Sequence, residues 1–130
     1  MLPIIKRTKR EDIVKELKAL KLTDPKEIII HLKTYMRDNK TIAQLKELRG
    51  YCCQMCQTRI LKADGTFYIE AAHITPKAEK GPEMPDNILI ICPNHHKEFD
   101  YGNPQILERD TEHIHFILNG KEYKISLKVD

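Results

Sequence analysis

Two short knuckles govern what this chain can become: Cys53-x2-Cys56 and, with 35 residues between, Cys92-x2-His95. Tetrahedral zinc needs four soft or borderline donors, and a site closed by four protein groups holds structure and leaves no position open for chemistry. The chain is therefore expected to fold around a zinc ion that ties two distant stretches together. Disulfides are the weaker reading, because three of the four cysteines crowd into residues 52–56. The opening Met1-Leu2-Pro3-Ile4-Ile5-Lys6-Arg7 also has its charges behind a very short apolar patch, the reverse of a secretory leader. The expectation is a cytoplasmic protein. Cys52 is left over; it is expected as a small buried hydrophobe, with a Cys52-x3-Cys56 pairing as the alternative.

The rest of the chain can supply the core such a site needs. At 130 residues it can bury roughly two-thirds of its unfolded surface, and no apolar run approaches the roughly 20 residues of a membrane span. Thr8-x-x-Glu11 is a capping box ahead of Ile13, Val14, Leu17 and Leu20, which predicts a helix over 9–21. Asp24-Pro25-Lys26-Glu27 opens a second helix over 25–38, and Ile42, Leu45 and Leu48 define a third, 41–49, ended by Gly50. The period then changes. Ala63-Asp64-Gly65 separates the β-prone runs 60–62 and 66–70, residues 74–86 carry three prolines and a glycine and read as loop, 88–91 is a short apolar strand, and 94–101 forms a short helix. Alternating runs at 106–109 and 113–118 and a turn at Asn119-Gly120 predict a terminal β-hairpin or small meander.

Charge is unevenly spread. Residues 1–50 hold 13 Lys and Arg against 7 Asp and Glu, whereas 51–130 hold 9 against 12. A basic half attracts a polyanion by releasing its counterions, although a solvated helix surface looks the same on charge alone. The densest cluster is Lys6, Arg7, Lys9 and Arg10; Arg49, Lys77 and Lys97 complete the candidate nucleic-acid contacts.

Beside the knuckles stand His73, Asn87 and His96, with 13 and 8 residues between them. The segments Ile69-Glu70-Ala71-Ala72-His73-Ile74-Thr75-Pro76, Asp86-Asn87-Ile88-Leu89 and Cys92-Pro93-Asn94-His95-His96-Lys97-Glu98-Phe99-Asp100 resemble the HNH nuclease family, most closely its restriction-endonuclease branch. The resemblance covers about residues 50–102. It implies a zinc-stabilised ββα-metal core over 50–102; with the basic helices over 1–49 and the C-terminal β-hairpin over 103–130 read from the residues, the chain is expected to be α+β.

The activity implied is hydrolysis of DNA phosphodiesters with a divalent cation, Mg2+ or another. A phosphodiester repels hydroxide and has a poor leaving group, so its hydrolysis calls for a base and a cation. Histidine suits the first task, since neutral imidazole is available near pH 7. The resemblance makes His73 the general base, Asn87 the brace of its loop, and His96 the catalytic ligand. Asp100, four residues after His96 on one helix face, is expected to share that ion. Zinc falls to Cys53, Cys56, Cys92 and His95. Many family members have a metal-ligating Asp or His where this chain has Ala72, and Glu70, two residues back, is expected to support basic groups nearby. His95 stands where a fourth cysteine is usual; adjacent helical residues diverge by about 100°, so His95 and His96 should serve different metals.

A zinc-stabilised DNA-binding module without catalysis is the rival reading, and a nuclease subunit of a larger defence or mobile-element assembly is another. Restriction or phage defence is the role the motif variant suggests. A single site per chain makes a homodimer the expected route to double-strand cuts.

Overall fold

The computed structural model describes residues 10–20, 40–76, 79 and 81–129. The helix expected over 25–38, and with it Lys6, Arg7, Lys9 and Lys77, lies outside the described residues.

Helix α1 (Arg10–Lys18) buries Ile13 and Leu17, one turn apart. Helix α2 (Lys40–Leu48) turns Thr41, Gln44, Leu45 and Leu48 inward at the 3–4 spacing of a single face. The two are joined by Arg10 Nη1, which donates to the Leu48 carbonyl at 3.2 Å, and by Gln44 Nε2, which donates to Glu16. Gly50 ends α2 with φ +68°, as its missing Cβ allows.

Strands β1 (Ile60–Leu61) and β2 (Phe67–Tyr68) pair antiparallel. Lys62 N donates to the Thr66 carbonyl at 2.8 Å, leaving Ala63, Asp64 and Gly65 as a three-residue loop with Gly65 at φ +88°. The run expected as one strand over 66–70 is interrupted at Ile69. Beyond it β3 (Glu70–His73) leaves the first ladder and pairs antiparallel with β4 (Ile88–Ile91), Glu70 opposite Ile91 and His73 opposite Ile88. Every residue of β4 is buried.

Helix α3 (Pro93–Tyr101) follows directly, so β3, β4 and α3 make the expected ββα unit, with residues 74–87 as the connection between its strands. Proline opens α3, where a missing N–H costs nothing. Of the hairpin or small meander expected at the end of the chain, the structure has the meander: β5 (Gln105–Arg109), β6 (His113–Leu118) and β7 (Lys121–Ser126) form a three-stranded antiparallel sheet. Asn119 (φ +50°) and Gly120 (φ +78°) make its second turn. Ile114, Phe116 and Leu118 point inward, and Phe116 meets Phe99 of α3 edge-on, ring centroids 5.5 Å apart, while stacking on Tyr123. One buried apolar cluster runs from Ile13 to Val129 and holds helices, ββα unit and meander together.

Candidate active site and zinc centre

The two knuckles converge. The ligand atoms of Cys53, Cys56, Cys92 and His95 all lie within 4.8 Å of one another. Cys56 and Cys92 sulfurs are 3.9 Å apart, and His95 Nδ1 is 3.3 Å from Cys92 Sγ and 3.8 Å from Cys53 Sγ. Zn–S bonds of about 2.3 Å in a tetrahedron put sulfurs about 3.8 Å apart, so these donors fit zinc. His95 Nε2 lies 3.7 Å from Glu98, a carboxylate on the far side of the ring of the kind that orients metal-bound histidines.

Burial works to raise the Cys56 thiol, but Thr58 and the neighbouring sulfurs overcome it and hold it at about 6, whereas burial pushes Cys92 up to about 11. Cys52 faces away, its Sγ 3.2 Å from the Gln57 carbonyl; it is half-buried where full burial was expected, and stands outside the quartet. Gln54, inside the first knuckle, pins it to the sheet: its N–H donates to Ile90 O (2.9 Å), its Oε1 accepts from Ile90 N (2.8 Å), and its Nε2 donates to Ser126 O.

His96, the next residue of α3, looks elsewhere. Its Nδ1 is 2.7 Å from Glu70 Oε1 and its Nε2 is 3.4 Å from Asp100 Oδ2. Tyr68 donates its hydroxyl to the other Glu70 oxygen at 2.5 Å. That bond first, then the His96 hydrogen bond and charge with Lys97 beyond, hold the Glu70 carboxyl below its ordinary range despite partial burial. Ala72 is packed in the core.

His73, at the other end of β3, is half-buried, and its Nε2 is hydrogen-bonded to Glu83, a buried carboxylate of the connecting loop. His73 and His96 therefore belong to two clusters. Their anchors, His73 itself and Glu70, are three residues apart on one strand, about 10 Å.

Asn87 is 1% exposed and uses all its hydrogen-bonding capacity. Its Nδ2 donates to Thr75 O (3.1 Å) and Pro82 O (2.9 Å); its Oδ1 accepts from Thr75 N (2.8 Å) and Arg109 Nη2 (2.7 Å). Its backbone carbonyl accepts from Ile74 N, continuing the β3–β4 ladder past His73. The loop wraps this amide so closely that a Cβ on Gly81 would fall 1.8 Å from Thr75 O.

Residues 53–103 match the family described as HNH endonuclease. Over that segment the chain resembles an HNH endonuclease domain. It is 31% identical over 72 residues to the type IV methyl-directed restriction enzyme EcoKMcrA of Escherichia coli (strain K12), covering 54% of this chain and 26% of that protein. Among solved structures, the modification-dependent TagI restriction endonuclease is similar over 82% of this chain and 37% of its own, with a TM-score of 0.54 and 27% identity. The type IV phosphorothioation-dependent restriction endonuclease ScoMcrA aligns over 78% of this chain and 22% of its own, with a TM-score of 0.45 and 21% identity. The chain thus spans between about a fifth and two-fifths of these proteins' lengths. None of the described helices is long and apolar enough to cross a membrane.

Several contacts around the two histidine clusters escape sequence reasoning. Glu83 and Arg109 reach His73 and Asn87 from 10 and 22 residues away with no motif to announce them. Lys46 of α2 is in electrostatic range of Glu70: burial lowers its pKa, the carboxylate opposes that, and Lys62 adds to the lowering. Two of the expected nucleic-acid contacts also bond within the protein. Arg10 bonds the end of α2, and Arg49 donates from Nη1 to Lys128 O at 2.6 Å, with its other two nitrogens shut off from solvent.

Proposed function

We propose that this chain is the nuclease core of a divalent-metal-dependent endonuclease that hydrolyses DNA phosphodiesters, in the service of restriction. One observation carries the reading: consecutive histidines of α3 face two different donor sets, His95 the three sulfurs and His96 the carboxylates Glu70 and Asp100. A structural zinc domain requires only the first. The second is a histidine with one ring nitrogen taken by a carboxylate and the other beside a second carboxylate, an arrangement suited to a hard or borderline divalent cation such as Mg2+ or Mn2+. His96 Nε2 and Asp100 would hold the ion, and Glu70 would fix the His96 ring through Nδ1. When bound, the ion supplies Lewis acidity to the phosphate and its leaving oxygen.

His73 is the general base. The Glu83 carboxylate favours the tautomer with its proton on Nε2, so the lone pair lies on Nδ1, which takes the proton of the attacking water. The water oxygen bonds to phosphorus as the P–O bond to the leaving group breaks, and the departing oxygen recovers a proton from solvent. Asn87 touches no substrate; it holds Thr75, two residues after the base, and so fixes the direction of His73. Lys97 and Lys46, both in range of Glu70, would attract the DNA backbone toward the cluster. The three stretches 1–49, 50–102 and 103–130 would then act as guide, nuclease core and buttress, with a homodimer making paired cuts.

The test is supercoiled plasmid incubated with the zinc-loaded protein and Mg2+ or Mn2+, beside His73→Ala and His96→Ala. Nicking that needs the added ion and is lost in both variants is the expected result. Unchanged cleavage by His73→Ala would refute the assigned base, and DNA binding without cleavage under every condition would leave only a binding module.

A further inference from the structure

Arg109 stands outside the residues that match the nuclease family, and its position is set by an irregularity in the meander. Ile106 pairs with Phe116, but Glu108 pairs with His115, so Leu107 is an extra residue with no partner. Such a bulge exchanges the faces of the residues that follow it. Arg109 pairs with Ile114 and thereby joins the inward face of Ile114 and Phe116. Without the bulge it would point outward. Its two acidic neighbours go the other way: Glu108 lies 2.7 Å from His113 Nε2, and Asp110 accepts from the Glu112 and His113 amides. The strand thus sorts its charges, acids outward and the single guanidinium toward the ββα unit.

There Nη2 donates to Asn87 Oδ1 at 2.7 Å and Nη1 to Thr75 Oγ1 at 3.0 Å. Two of five N–H groups are used, both partners are neutral, and among the described residues no carboxylate forms a salt bridge with Arg109. A fixed, uncompensated guanidinium with three donors to spare, held two residues from His73, is a phosphate site in its chemistry.

We propose that Arg109 contacts the substrate, its free N–H groups gripping a DNA backbone phosphate beside the His73 base while Asn87 and Thr75 hold the other side of the fork. The meander is then part of the active site. This rests on the nuclease reading above and adds to it a residue that no motif supplies.

The experiment uses the whole zinc-loaded chain as wild type, Arg109→Ala and Arg109→Lys. Affinity for a short DNA duplex is measured across a salt series without added Mg2+ or Mn2+, and plasmid nicking with it. Arg109→Ala should lower the slope of log affinity against log salt by about 0.9, the loss of one phosphate contact. It should slow nicking by about a hundredfold, with zinc content and melting temperature unchanged. Arg109→Lys should restore the slope but not the rate, because one ammonium cannot span Asn87, Thr75 and a phosphate together. An unchanged slope in Arg109→Ala overturns the proposal. So does a rate loss matched by a fall in melting temperature, which would make the residue a structural tie alone. A wild type that binds but never cuts refutes the nuclease reading while the slope still decides Arg109; one that does neither overturns both.

Discussion

Replacing Asn87 by alanine should be among the costliest single changes available in this fold. The side chain is 1% exposed and is bonded on every side by Thr75 N, Thr75 O, Pro82 O and the Arg109 guanidinium. Arg109 is exposed and can turn to water; the Thr75 and Pro82 backbone groups are part-buried and lose a partner. A buried polar group left unsatisfied costs about 1–3 kcal/mol, and three such groups, partly relieved by water entering the gap, give about 3–5 kcal/mol. Against a total stability of about 5–15 kcal/mol that is about a fifth or more. For a chain of this size it corresponds to a fall in Tm of about 10–20 °C. Thermal melts followed by circular dichroism in excess zinc measure it, and hydrogen exchange at the Thr75 amide should quicken in the same variant. A loss below about 1 kcal/mol with unchanged exchange at Thr75 would refute the claim that this amide braces the loop beside His73.

Two further outcomes follow from the metal centre and the meander. Zinc titrated into the metal-free protein at pH 7 should bind at one per chain and release at least one proton, because Cys92, pushed to about 11 by burial, is still a thiol, while Cys56, held at about 6, is already mostly thiolate. Uptake with no proton release in weak buffer would contradict that ordering. His113 is raised above its ordinary 6.5, first by its hydrogen bond with Glu108 and then by the charges of Asp110, Glu108 and Glu112. Its charged form therefore adds stability that is complete below pH 6.5 and is lost as pH rises through the higher folded value. An NMR titration should show its midpoint above 6.5 and lowered in Glu108→Gln; an unmoved midpoint would count against the pair.

What could be read from the sequence was local. The zinc quartet, the Asn119-Gly120 turn and the alternation of His113–Leu118 each express a rule of spacing or backbone conformation, and each is present in the structure. The helix ended by Gly50 and the loop carrying Gly65 likewise follow from left-handed glycine conformations. What was missed depends on folding at a distance. The strand that begins at Phe67 changes ladders at Ile69, because β4 offers a fully buried partner to Glu70–His73. Glu83 looks like any loop carboxylate until the connection folds it under His73. Nothing in the sequence says which face of its strand Arg109 takes unless the bulge at Leu107 is known, and a bulge leaves no trace in a strand exposed throughout. Arg10 and Arg49 show the same limit: a count of positive charges does not reveal that each also bonds a backbone carbonyl of the protein itself.

Placing His95 and His96 side by side on α3 has a consequence for how such a chain can change over generations. The helix has a single angular setting, and both imidazoles depend on it. Each residue turns the helix by about 100°, so inserting or deleting one between Cys92 and His96 would swing at least one histidine out of its cluster. Length variation should therefore be purged from this short stretch. Two donor sets are geared to the same shaft, and neither can be retuned alone.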